Sequence, residues 1–405
     1  MMFKKLKGLL SLVICISILC TVMPITSFAA DNAASVTFNG NTEYYAAIDA
    51  AWAAAVALDT TAENKATIKL LADCTAENAL MNTEDYLVLD TDGKTLTTTT
   101  AIHNENDILC GIGVDGGSLE LIGNGTITGV SLYSYARGIL LINGGKVYAD
   151  GITIHNTGTN CSNAVCVNGG EFYLLDGHLI ADEEYAMWCD PDTKVYLYSG
   201  KLESTGRRAI ATNEKAYVQV CYSDKPLYLI DNQTGNYIIS PATKISLEDN
   251  VITDIEYSNN PDGSNSTILK NVTEIGTEAN KGRSYLKIQT YKTPYLFSTN
   301  YNSQLLKKIK NDGVTDLSED AFTAVHFVDL ADYDMTNITY SDYSSKGDGS
   351  VKAWVNGTEL YIGGYGKIIA GRSLSCALRD GKKIDSITGL DLLDTSKTTD
   401  MGYMF

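Results

Sequence analysis

Basic residues are scarce: 31 Lys+Arg stand against 49 Asp+Glu, a formal charge of −18. Without Lys4, Lys5 and Lys7, which fall in the leader described below, 28 basic residues face 49 acidic ones and the charge is near −21. Such a surface repels nucleic acid and pectin-like polyanions and favours solubility. A second long apolar run is missing after residue 30, so no membrane partner is expected for the mature chain. Histidines number four and no tight zinc spacing occurs, so no metal and no cofactor are expected. Cys15 and Cys20 fall in the leader, and the other seven of the nine cysteines make an odd number in a long chain. Free buried thiols fit that count better than a disulfide framework.

The first thirty residues read as a signal peptide. Lys4, Lys5 and Lys7 form the positive region, Gly8 to Met23 is the apolar run, and Ser27-Phe28-Ala29 before Ala30 is a small-x-small cleavage site. A membrane anchor is the alternative, disfavoured by the short run. Leu19 before Cys20 argues against lipidation. Export is therefore expected, with cleavage near Ala29–Ala30.

The middle of the chain repeats itself. "VDGGSLELIG", "INGGKVYADG" and "VNGGEFYLLDG" nearly match, and "DPDTKVYLYSG" and "TNEKAYVQV" follow as weaker copies. Aligned on Leu119, Val147, Phe172, Val195 and Ala216, the spacings are 28, 25, 23 and 21. Short alternating runs bounded by Gly, Asn and Asp at such a period predict the coils of a right-handed parallel β-helix, a mainly β fold, with a β-sandwich as the alternative. "ATIKLLADC" and "YLVLDTDGKTL" read as earlier coils. The Ala-rich stretch from Asn41, with Ile48, Trp52 and Val56 on one side, predicts a helix capping the first coil.

Alternation places Leu119, Val147, Phe172, Val195 and Ala216 inside, with Leu121, Ala149, Leu174, Leu197 and Val218 two residues on. Outside lie Lys146, Glu171 and Lys194, opposite charges on adjacent coils. Beside them Tyr148, Tyr173, Tyr196 and Tyr217 form a tyrosine ladder, the candidate ligand-binding strip. Its plainer reading is that tyrosine stacks well on any sheet surface. No catalytic residue is assigned. Asp190 and Asp192 at one corner, Arg207 and Arg208 one turn later, and Asp90 and Asp92 in "LDTDGK" are the only acid and base groupings that invite comparison with a lyase or hydrolase. His155, Cys161 and Cys166 lie close in sequence, but Cys166 and Cys189 fall in core strings. "GGYGKIIAG" lacks the ending of a phosphate loop.

From these residues the chain resembles two families. "YAAIDAAWAAA…ATIKLLADCT…LDTDGKTL" resembles the opening of pectate-lyase-like β-helix domains of bacterial surface proteins, over roughly residues 41–245. "DGSVKAW…LYIGGYGKIIAG", then "LDTSKTTDMGYMF", resembles the BspA-like leucine-rich-repeat surface proteins over about 105 residues. The second match rests on Asp348–Val351, Ala353, Trp354, Leu360–Gly363, Gly366–Ile368, Leu393–Lys397, Thr399–Met401, Met404 and Phe405, with Thr398 in place of the usual valine. That resemblance implies cell-surface adhesion to a host matrix protein or glycan, and attachment to the cell wall through a C-terminal region missing here. "LDTSKTTDMGYMF" then reads as the first rung of a solenoid whose next rungs are absent, leaving Leu390, Leu393, Met401 and Phe405 without a partner coil. A complete protein with a frayed end is the alternative.

The expected organisation is a signal peptide at 1–30, a β-helix with its cap helix at 31–245, a β-rich connection at 246–300 and a BspA-like module at 301–405 with one incomplete repeat. The expected function is non-enzymatic, adhesin-like binding at the cell surface. A polysaccharide lyase or glycoside hydrolase on the same scaffold is one alternative, and an architectural spacer for missing repeats is another.

Overall fold

A computed structural model describes residues 32–404 except residues 100, 104–107, 131–135, 159–162, 214, 234–236, 242 and 244. The leader, Cys161 and Phe405 lie outside the described residues.

The chain is mainly β and is organised around long, largely parallel sheets. Each turn visits three sheets in the same order. Lys146–Ala149 enters the first, Ile152–Asn156 the second and Asn163–Asn168 the third. Glu171–Leu174, Gly177–Ala181 and Met187–Cys189 repeat the circuit, then Lys194–Leu197, Gly200–Ser204 and Ile210–Thr212. Corresponding strands pair in parallel: Val147 with Phe172 and Val195 in the first sheet, Ile154 with Leu179 and Leu202 in the second, Val165 with Met187 and Ile210 in the third. The earlier copies also fall into register, Ala66 opposite Leu87 and Leu87 opposite Leu119.

Alternation drives this arrangement. Strands with the burial pattern of Lys146–Ala149 put every second side chain inside, where the three sheets share one apolar core from Ala34 to Ile288. The paired glycines at the corners have separate jobs. Gly144 has φ of 81°, which a side chain rarely adopts. At Gly145 an added Cβ would lie 2.4 Å from the Val114 carbonyl oxygen of the coil beneath.

One expectation is corrected at the N-terminal end. The predicted helix from Asn41 begins only at Ile48 and runs to Val56. Asn41–Tyr45 is instead a strand pairing antiparallel with Ala34–Phe38. Asn39 and Gly40, at φ of 52° and 77°, form the tight turn that an Asn-Gly pair favours, and the hairpin outcompetes the local helical pattern. The helix buries Ile48, Ala51, Trp52 and Ala55 over the first coil, and the Trp52 indole donates to the Met81 carbonyl at 2.8 Å.

The strands between residues 251 and 292 do not stand apart from the first core. Tyr285–Lys292 joins the second sheet antiparallel to Leu227–Asp231, followed outward by Val251–Ser258 and Thr267–Val272. Ile255, Leu286 and Ile288 complete the core. Antiparallel strands thus close the end of the parallel stack.

A second core spans Leu296 to Leu393. Its five-stranded sheet centres on the hairpin Val351–Asn356 and Glu359–Gly364, beside Ala324–Asp329. The helix Leu305–Asn311 buries Leu305, Leu306 and Ile309 against it. The terminal "LDTSKTTDM" stretch is not isolated. Leu393 pairs with Ile368, and the amides of Leu374, Cys376 and Leu378 donate to the carbonyls of Asp400, Gly402 and Met404. Tyr295 and Thr299 bridge to Ile369 and Leu374 from the other side. Leu393 is therefore buried, against expectation, because a preceding coil is already in place; Leu390, Met401 and Tyr403 are exposed. Among the described residues no helix is long and apolar enough to cross a membrane.

Candidate functional site

The tyrosine strip lies on the outer face of the first sheet. Tyr148, Tyr173 and Tyr196 are in direct register. Their rings stack at centroid distances of 4.5 and 4.7 Å with interplanar angles of 14° and 13°. Tyr217 departs from the predicted alignment by two residues. It stands opposite Lys194, while Gln219 faces Tyr196 and Val218, not Ala216, faces Val195. The Ala216 amide closes a turn on the Asn213 carbonyl, so pairing starts one residue later. A shift of two preserves the inward–outward sense, and alternation alone cannot detect it. Tyr217 still meets Tyr196 edgewise, at 6.0 Å and 61°.

This geometry changes what the strip presents. Rings stacked along the coil axis cover one another's faces: Tyr173 is covered on both sides and Tyr148 and Tyr196 on the side that meets it, so the strip offers chiefly edges and hydroxyls to solvent. Tyr217 is the most open of the four, at 42% exposure.

The expected charge alternation is formed. Glu171 receives Lys146 at 3.0 Å and Lys194 at 3.1 Å, and the Tyr173 hydroxyl donates to it at 2.8 Å. Burial pushes the Glu171 carboxyl up, but the hydrogen bonds from Tyr173, Lys146 and Lys194 together outweigh burial and hold it at about 2. For Tyr173, burial and this bond both push the phenol well above its ordinary value. The folded carboxyl ionises more readily than the unfolded one. Its stabilisation is thus complete above about pH 4.5 and is lost as the pH falls towards 2. Because these side chains are partly solvated, Glu171→Gln is expected to cost only about 1 kcal/mol at pH 7 and to flatten the acid limb of a urea-midpoint profile. An unchanged acid limb would mean the cluster is not coupled to folding.

The other carboxylates singled out in the sequence are tied into the scaffold. Asp190 accepts from the Trp188 indole at 3.0 Å and from Asn213 at 2.9 Å, joining adjacent coils. Asp192 sits at a corner with φ of 63°. Asp90 accepts the Asp92 amide at 2.9 Å, and both face Lys69. Arg207 pairs with Glu184 at 3.2 Å, and Arg208 lines the same corner. His155 pairs with Asp182 at 2.9 Å, while Cys166 and Cys189 are buried in the third sheet. Burial pushes the Cys189 thiol well up, as an inert core thiol requires. The described cysteines are free thiols. Among the described residues no group of three His, Cys, Asp or Glu is placed to hold a metal ion.

Three features were missed in the sequence. Asp231 is fully buried at the end of its second-sheet strand. Where the two cores meet, Tyr291 and Tyr365 stack at 4.0 Å, and the Lys292 ammonium lies 4.7 Å from the Tyr222 ring centroid. In the second core, Trp354 and Tyr361 stack at 5.4 Å, and His326 lies 4.6 Å beyond Tyr361. The Tyr361 hydroxyl donates to Glu359 at 2.8 Å, as Tyr173 does to Glu171. That shared Glu-x-Tyr spacing in "EFY" and "ELY" was the available signal.

No protein-family model, curated protein or solved structure matches this chain.

Proposed function

We propose that the chain is a secreted, surface-associated protein that binds a glycan without catalysis. In this reading its first core is a right-handed parallel β-helix and its second is a BspA-like module. The repeating circuit through three parallel sheets supports the β-helix, and the "DGSVKAW…LYIG" and "LDTSKTTDM" strings support the module.

The observation that carries binding is the tyrosine strip. Its phenols repeat at the strand spacing on a rigid sheet, and Tyr217 stands open beside them. Regularly spaced hydroxyls and ring edges complement a polymer that repeats its own hydroxyls. The mature chain, probed against immobilised glycans and matrix proteins, is expected to bind a glycan. Tyr173→Ser/Tyr196→Ser, and separately Tyr217→Ser, should weaken that binding at least tenfold while circular dichroism stays unchanged. Undiminished binding by well-folded variants would refute the strip. Binding only to a matrix protein, insensitive to deglycosylation, would reassign the ligand class. Absence of any ligand would favour a spacer role.

A further inference from the structure

The second core contains a cavity of about 460 Å³ unrelated to the strip. Its floor is the parallel pair Trp354 and Tyr361, set side by side by the register of the hairpin whose turn uses Gly357 at φ of 60°. Tyr333 forms a wall, 5.2 Å from Trp354 and 6.2 Å from Tyr361 and tilted 65° and 60° to them. Tyr333 is 37% exposed, so its ring is open to a ligand. It belongs to a surface stretch, 331–340, in which the amides of Tyr333 and Ile338 bond to the nearby carbonyls of Leu330 and Met335.

The polar lining comes from Asn337, Thr339 and Asn356, and the aliphatic lining from Val314, Ile338 and Val355. None of the lining residues is charged, in a chain where 20% of residues are. A charged ligand would gain no counter-charge from these lining side chains, which favours an uncharged one. An aromatic wall suits the C–H face of a pyranose, and two carboxamides with aliphatic neighbours suit an acetamido group, whose N–H and C=O need partners while its methyl does not.

We propose that this cavity binds an uncharged N-acetylhexosamine unit. The site is independent of the tyrosine strip, so the two can fail separately.

Saturation-transfer NMR on the mature chain tests this, with N-acetylglucosamine, N-acetylgalactosamine and glucose as probes. At least one N-acetyl sugar is expected to give saturable binding with strong transfer to its methyl, and glucose to bind at least tenfold more weakly. Tyr333→Ala and Asn356→Ala, both at exposed positions, should each weaken binding tenfold or more with the melting temperature retained. Tighter binding of a chito-oligosaccharide would assign a glucosamine polymer as the source, and tighter binding of a mucin-type glycopeptide would assign a galactosamine glycan; either supports the class. No saturation, equal binding of glucose, or binding indifferent to both variants would overturn it.

Discussion

Phe172→Ala is expected to lower the unfolding free energy by about 3–5 kcal/mol, the cost of deleting a large, fully enclosed aromatic side chain. Phe172 has no exposed surface and lies between Val147 and Val195 on the inner face of the first sheet. Parallel ladders on both sides pin the neighbouring coils, so the cavity cannot collapse cheaply. Each coil is stabilised mainly by its neighbours, and the loss should spread to the adjacent turns. Urea denaturation followed by circular dichroism reads the midpoint. Tyr173→Ser, one residue on but facing outward, should cost about 1 kcal/mol or less. If Phe172→Ala cost as little, the side chain could not lie in a packed interior.

Asp231→Asn is expected to stabilise the protein by about 1–3 kcal/mol at pH 7, by replacing a buried, partly unpartnered carboxylate with a neutral side chain of the same shape. The register shows why. Asn156, Ala181, Ser204 and Asp231 occupy the same position on successive strands of the second sheet. Asn156 accepts the Gly158 amide at 2.8 Å and donates its own amide to the Asn163 carbonyl at 2.8 Å. Asp231 makes the first kind of bond, to the Gln233 amide at 2.8 Å, but its Oδ2 is buried without a partner. Burial pushes the carboxyl up to about 6, against the Gln233 amide and the Arg208 guanidinium, which pull it down. The unfolded carboxyl titrates near 4. Between those values the folded state holds the proton more tightly, so stability falls as the pH rises from about 4 to 6 and stays lower above. Asparagine has no such titration, and its midpoint should be flat over that window. A less stable variant at pH 7 would mean that attraction between Asp231 and Arg208 outweighs the missing bond.

Asp231 also marks a boundary of what could be read from the chain alone. Its string, "LYLID", looks like the end of an ordinary strand. Its burial arises because antiparallel strands from 251–292 close over the last parallel turn, and that closure is a long-range event. The N-terminal hairpin is similar. The Ala-rich stretch carries a helical period, but Asn39-Gly40 and pairing with Ala34–Phe38 claim Asn41–Tyr45 for a strand.

By itself the sequence determined the coil period, the inward rows through Leu119, Val147, Phe172 and Val195, and the charge alternation of Lys146, Glu171 and Lys194. All three follow from alternation and corner chemistry, which are local properties repeated often enough to be legible. Tertiary structure alone decided the register of Tyr217, the turning of the tyrosine faces towards one another, the burial of Asp231, and the Tyr333–Trp354–Tyr361 cavity. Each depends on which of several equally patterned alignments packs best, or on segments far apart in the chain meeting. A pattern of period two cannot encode either.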